Sequence, residues 1–257
     1  MESRPPGQVM RPWGLLLTGT VLLGFTACGG SAVPVVPPVC EEPQVPEVGS
    51  LTQCGPLADF TPINRYQGAF ADVVQAREDA VVIIDGRCTG TLIQASAGPV
   101  VVTAGHCAAV GDRALVVFNF EDAPDGDPLI TEGTVIEQAL EPDYALIALD
   151  VLPDVTPVPL TARATERLAI IQHPRGRPKV IAEGGYLATC RQLVYYTDLD
   201  TLVGSSGAGV LTREGHLLGI HTDGDCYSTG QGSNRGWTSD ALVEASPYLL
   251  PSDIVER

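Results

Sequence analysis

From Ala80 onward the sequence is cut into short apolar, β-branched runs, and this texture restricts the fold more than any other feature. Ala80–Ile84, Thr89–Ile93, Val100–Thr103, Ala114–Phe120 and Tyr144–Leu149 form a first set. Leu168–Gln172, Tyr186–Thr189, Leu193–Tyr196, Gly209–Leu211 and Leu217–His221 form a second, and Pro- and Thr-rich Val151–Pro159 reads as the linker between them. Runs this short, separated by turn residues, are the strands of a sandwich or barrel. The 28 glycines and 21 prolines suit many tight turns and disfavour a helical bundle. No strand–helix alternation argues for a parallel sheet, and the one helix expected is a short closing one near Asp240–Leu250. The chain is therefore read as all-β, with two halves, 59–157 and 158–257, and no internal repeat.

Charge removes whole classes of function. The 257 residues carry 31 Asp and Glu against 15 Lys and Arg, a formal charge of −16, and Lys179 is the only lysine. Binding nucleic acid requires clustered cations that displace the counterions of phosphates, and a polybasic membrane patch requires the same residues. Neither is present, so no nucleic-acid partner is expected. A hydrophobic fraction of 44% is enough for a packed core.

The N-terminus reads as an export address. Arg4 and Arg11 precede an apolar stretch, Leu15 to Phe25, shorter than a membrane-spanning helix and closed by Phe25-Thr26-Ala27-Cys28. This end resembles a bacterial lipobox, with Phe25 where leucine is usual. Residues 1–27 are then a signal peptide, Cys28 a lipidated first residue, and 28–58 a Pro-, Val- and Glu-rich tether. The expected location is the cell envelope, with membrane contact only through that lipid; an ordinary signal releasing the protein to periplasm or medium is the alternative. Seven cysteines support this, since setting Cys28 aside leaves six, enough for three disulfides in an oxidising compartment. No Cys-x-x-Cys pair or Cys/His ligand set points to zinc.

Three short motifs carry the chemistry. Thr103-Ala104-Gly105-His106-Cys107 follows the apolar strand Val100–Val102, Asp143 opens the alternating Tyr144–Leu149, and Gly204-Ser205-Ser206-Gly207 precedes another strand. They supply a base, an acid and a nucleophile in the order His, Asp, Ser. A serine hydroxyl is a weak nucleophile until an imidazole takes its proton, and the imidazole needs a carboxylate to fix its tautomer and stabilise its charged form. Glycines around Ser206 allow a sharp turn in which the Gly204 and Ser206 N–H groups can address one oxyanion. Asp150 is the local rival to Asp143, and Ser205 to Ser206.

These motifs resemble those of the chymotrypsin-like serine peptidases over roughly residues 78–245. The resemblance implies two antiparallel β-barrels with the active site in the cleft between them, no metal or cofactor, and a peptide or protein as substrate for a monomeric enzyme. It implies His106, Asp143 and Ser206 as catalytic residues, Gly204 and Ser206 as the oxyanion hole, and a Cys88–Cys107 disulfide, with Cys88 in Cys-Thr-Gly-Thr-Leu-Ile. Cys190–Cys226 is the second expected pair, and Cys40–Cys54 is what remains. Finer features are similar to the bacterial glutamyl endopeptidases: Asp200-Thr201-Leu202-Val203 before the serine motif, His173-Pro174-Arg175-Gly176, Gly219-Ile220-His221, and Asn234-Arg235-Gly236. Thr201 and His221 would then receive an acidic side chain before the scissile bond. Asp200 is the counter-argument, since an acid at the pocket base would recruit Arg or Lys. Ala208-Gly209 departs from the family's small residue plus proline, and Ser205 stands where trypsin-type enzymes carry aspartate. Activation through an N-terminal ammonium is thereby removed.

Other classes compete with this reading. An α/β-hydrolase needs Gly-x-Ser-x-Gly and a histidine well downstream; Ala208 and the closeness of Glu214 to His216 and His221 defeat it. A catalytically silent module on the same barrels and a structural envelope lipoprotein are the remaining alternatives.

Overall fold

The computed structural model describes Cys40, residues 53–124 and residues 126–256. The signal segment, Cys28 and most of the tether lie outside the described residues.

A two-residue strand β1 (Thr61–Pro62) and a short helix α1 (Ala71–Arg77) lead into the first barrel. Its strands are β2 (Val81–Ile84), β3 (Cys88–Ala95), β4 (Gly98–Thr103), β5 (Arg113–Phe118), β6 (Leu129–Leu140) and β7 (Asp143–Leu149). They close in the order β2-β3-β4-β7-β6-β5. After the two-residue β8 (Leu160–Thr161) come β9 (Arg167–Gln172), β10 (Val180–Cys190), β11 (Leu193–Thr197), β12 (Gly209–Leu211), β13 (Leu217–Cys226) and β14 (Gly232–Thr238). These run β12-β9-β10-β11-β14-β13, and the β12–β13 pairing closes the second barrel. Helix α2 (Ser239–Ala245) and strand β15 (Ile254–Glu256) finish the chain; β15 pairs with β8. The two closed antiparallel barrels and the short C-terminal helix are the architecture that the motifs implied.

The barrel interiors explain the run lengths. Val82, Ile84, Leu92, Val102, Val116, Leu146 and Ile147 are fully buried in the first, and Leu168, Ile170, Val194, Tyr196 and Val210 in the second. Burying each such side chain is worth about 1.5–3 kcal/mol, so a run of four or five β-branched residues suffices to commit a strand. Helix α2 starts where the Thr238 hydroxyl accepts the Ala241 N–H at 3.2 Å and buries Ala241, Leu242 and Val243.

Two strands were invisible as apolar runs. β6 reads Leu-Ile-Thr-Glu-Gly-Thr-Val-Ile-Glu-Gln-Ala-Leu, and beyond Thr131, Gly133 and Val135 most of it is at least partly exposed. β14, Gly-Ser-Asn-Arg-Gly-Trp-Thr, has the composition of a turn, yet it lies between β11 and β13. β10 also begins six residues earlier than the Tyr186–Thr189 run indicates.

The disulfides need correction. Cys88 joins Cys107 with Cα atoms 6.2 Å apart, but Cys190 joins Cys40 and Cys226 joins Cys54. The expected Cys190–Cys226 and Cys40–Cys54 pairs are absent for a geometric reason. Cys190 ends β10 and Cys226 ends β13, with β11 and β14 between them. Three inter-strand steps in either direction put these strands on opposite walls of the barrel, farther apart than the Cα separation a disulfide spans. Both cysteines turn to the N-terminal segment instead.

The lone lysine is a joint. Lys179 precedes β10, and its fully buried ammonium donates to the Glu78 carbonyl (2.7 Å), the Glu78 carboxylate (2.6 Å) and the Glu121 carboxylate (2.8 Å). Glu78 opens the short turn Glu78–Ala80 that leads into β2 and Glu121 follows β5, so a residue of the second barrel satisfies its donors on the first. Burial lifts the Glu78 carboxyl to about 7. Burial also opposes ionisation of Glu121, but hydrogen bonds from Glu78, Lys179 and Asn64 win and hold it below its ordinary value. Removing one member of a buried charge cluster leaves its partners uncompensated. Lys179→Met should therefore cost about 3–5 kcal/mol in denaturant unfolding, and Glu78→Gln distinctly less, because that carboxyl is the member nearest to neutrality. Equal midpoints for wild type and Lys179→Met would contradict this.

Candidate active site

β4 and β7 are hydrogen-bonded neighbours, with Thr103 opposite Ala145. The turn Gly105–Cys107 after β4 and the first residue of β7 consequently meet. Asp143 holds His106 at two points: Oδ1 accepts the His106 backbone N–H at 2.9 Å, and Oδ2 lies 2.6 Å from Nδ1. The Gln138 side chain donates to the Gly105 carbonyl at 2.8 Å, steadying the turn. Asp143 is mostly covered while the imidazole is nearly half exposed, so one face is fixed and the other open. Asp150, the rival acid, pairs with Arg113 on the exposed surface.

Ser206 arrives from the second barrel on the loop between β11 and β12. Its carbonyl accepts the Thr89 N–H at 3.0 Å and lies 4.0 Å from Cys107 Sγ. Gly207, at φ +83°, is packed so closely that a Cβ would fall 2.6 Å from Ala104 N and against Thr103 and Thr89. The serine loop is thus seated on the residues that lead into His106. Gly204, at φ +99°, backs onto the His173 carbonyl and the Arg175 N–H in the same way. Ser205 is fully buried and its hydroxyl accepts the Leu202 N–H at 3.0 Å, whereas Ser206 is only half buried. The N–H groups of Ser205, Gly207 and Ala208 bond to the carbonyls of Leu202, His221 and Ser205. Among the described residues, no acceptor is bonded to the N–H of Gly204 or Ser206.

Beneath the loop lies a polar group of residues. His221 on β13 is buried, with Nδ1 2.6 Å from the Tyr196 hydroxyl. Asn234 donates to the Thr201 hydroxyl at 3.2 Å and to the Leu199 carbonyl at 2.8 Å, and stands opposite Tyr196 in the sheet. Asp200 behaves differently from the pocket residue expected. It is buried, and its two oxygens accept the backbone N–H groups of Cys54 (2.6 Å) and Asp59. The segment that leads into β1 is pinned here through Cys54 and Asp59. Tyr196 carries no motif or charge and reads from sequence only as the end of a strand, whereas Asn234 belongs to the Asn-Arg-Gly segment noted above but has no role assigned there.

The histidines are tuned in opposite directions. The hydrogen bond to Asp143 raises the His106 pKa against the pull of burial, with the Asp143 and Asp223 charges adding to the rise. Burial takes His221 down to about 4, although Asp223 and the Arg235 backbone oppose it. Burial likewise takes His173 down to about 4, with Lys179 adding and the Arg177 carbonyl and Glu121 opposing. An exposed imidazole with a raised pKa can exchange protons; the other two are neutral struts. Among the described residues, no group of three or more His, Cys, Asp and Glu side chains could hold a metal ion.

The model of the trypsin-like peptidase domain matches residues 88–220, which is more than half of the chain. The chain belongs to the trypsin-like peptidases. No curated protein matches it. Among solved structures, the serine endoprotease of Yersinia pestis is similar at 18% identity and a TM-score of 0.56, over 70% of this chain and 66% of that one. The chain thus spans slightly less than two thirds of that structure. Deg5 is similar at 20% identity and a TM-score of 0.57, over 73% of this chain and 96% of that one. The Rv3671c protease of M. tuberculosis, in an inactive form, is similar at 19% identity and a TM-score of 0.53, over 67% and 89%. At these identities the likeness is one of fold. The matched stretch begins at Cys88 and includes His106, Asp143, Ser206 and the Cys88–Cys107 pair.

The opposed shifts are measurable in the trypsin-like peptidase itself. In an NMR titration of the imidazoles, His106 should titrate above the ordinary value of about 6.5 and fall on Asp143→Asn. His173 and His221, lowered on folding, contribute stability that is fully present above about 6.5 and is lost as pH falls towards 4. Their share of the melting temperature should decline across that window, partly offset by Glu78 and His106, which folding raises. A His221 that titrates alongside a free imidazole would contradict its burial.

Proposed function

We propose that the peptidase acts through a Ser206–His106–Asp143 triad and an acyl-enzyme. His106 takes the Ser206 proton as Oγ attacks the substrate carbonyl, Asp143 stabilises the imidazolium, and the Gly204 and Ser206 N–H groups receive the oxyanion. His106 then returns the proton to the leaving amine, and water activated by the same imidazole hydrolyses the ester. The observation that carries this reading is the two-point Asp143–His106 contact, which fixes the ring with one nitrogen committed and the other free.

Cleavage after Glu is the specificity we infer. Thr201, Asn234, Tyr196 and His221 form a neutral, hydrogen-bonding set, and Asp200, the acid that would have favoured Arg or Lys, is spent on the tether. Polar groups that a substrate must satisfy discriminate strongly against side chains that cannot. Export with lipidation at Cys28 is part of the same proposal: six of the seven cysteines are paired, leaving that one. Pairing of this kind belongs to oxidising compartments.

Ser206→Ala should abolish labelling by a fluorophosphonate and lower kcat by several orders of magnitude at unchanged stability, whereas Ser205→Ala should still label. The opposite pattern would move the nucleophile by one residue. A peptide library should be cut after Glu, and the Glu-over-Gln preference should stay flat through neutral pH, because His221 is already neutral there. Cutting mainly after Arg or Lys would overturn the pocket assignment.

A further inference from the structure

The Thr89 side chain, at the second position of β3, has no part in the chemistry proposed above, yet it is fully buried and fully bonded. Its hydroxyl accepts the His173 N–H at 3.0 Å and donates to the Gly204 carbonyl at 2.8 Å. Its backbone N–H donates to the Ser206 carbonyl at 3.0 Å, and its carbonyl accepts the Thr103 hydroxyl at 2.7 Å. The direction of the hydroxyl is not free. A backbone N–H can only donate, so His173 takes a lone pair and the single hydroxyl proton is left for Gly204.

We propose that Thr89 is a positioning residue that locks the oxyanion loop to the first barrel, so that the barrel carrying the base also sets the direction of the N–H groups on the barrel carrying the nucleophile. The geometry follows from the planar trans peptide, in which C=O and N–H point opposite ways. Arg175 N–H holds the Val203 carbonyl, which turns the Gly204 N–H to the other side. Thr89 holds the carbonyls of Gly204 and Ser206, the planes on either side of the one that bears the Ser206 N–H. Gly204 at φ +99° has no Cβ to resist rotation of its own plane. The Thr89 hydroxyl is what resists it, from a β-strand in the other half of the molecule.

This role rests on the oxyanion assignment above, and the test separates the two. The complete chain is prepared as wild type, Thr89→Val and Thr89→Ser, and assayed with a quenched peptide chosen from the library. Thr89→Val, which keeps the shape but loses the hydroxyl, should lower kcat on the order of ten- to a hundredfold with KM little changed, and slow fluorophosphonate labelling in proportion. Thr89→Ser should recover most of the rate. Should valine against the His173 N–H unfold the chain, Thr89→Ala carries the same comparison. A Thr89→Val or Thr89→Ala enzyme with wild-type kcat, a loss confined to KM, or a serine variant as poor as valine overturns the role. A wild type that neither labels nor hydrolyses peptide overturns the triad reading itself, and this role with it.

Discussion

The Lys179 ammonium reaches out of the second barrel and finds all three of its acceptors on the first. It is the only lysine in a chain of net charge −16. From this joint the order propagates by contact. The Lys179 N–H bonds to the Phe120 carbonyl, and the Phe120 ring stacks on His173 with centroids 5.9 Å apart. The His173 carbonyl then supports Gly204, whose carbonyl meets Thr89. A continuous run of contacts thus links the ion cluster to the serine loop.

The electrostatics divide along the same seam. An acidic surface leaves the carboxylates that matter distinguishable only by their environment. Asp143 is hydrogen-bonded to a half-exposed histidine and can support a charge there. Asp200 is buried against two backbone N–H groups, and Asp150 is neutralised by Arg113 in the open. Three acids of one residue type thus do three things: one orients a ring, one anchors a segment, one solvates a strand end. Composition could never have separated them.

What the sequence makes legible is whatever local chemistry demands. The histidine turn, the acid at the head of β7 and the glycine-flanked serine each need a particular residue type at a particular place, so they read directly. The β-branched strands read for the same reason. β6 and β14 do not, because strand pairing stabilises a polar or glycine-rich segment through its neighbours, and that information lies elsewhere in the chain. Disulfide partners fail in the same way: Cys88–Cys107 spans 19 residues and travels with a motif, while Cys54–Cys226 spans 172 and depends on barrel closure. Asp200 shows the limit most clearly, since its role was decided by the backbone of a segment that carries no motif at all.

The two long disulfides also determine what cutting the chain ahead of the barrels can accomplish. Cys40–Cys190 and Cys54–Cys226 enclose the residues between positions 40 and 54 in a covalent ring closed through the second barrel. A single break inside that ring opens it without separating anything, because both ends stay bonded to the body. Shedding the barrels from whatever lies upstream demands a break before Cys40, or reduction of Cys40–Cys190 together with a break between Cys40 and Cys54.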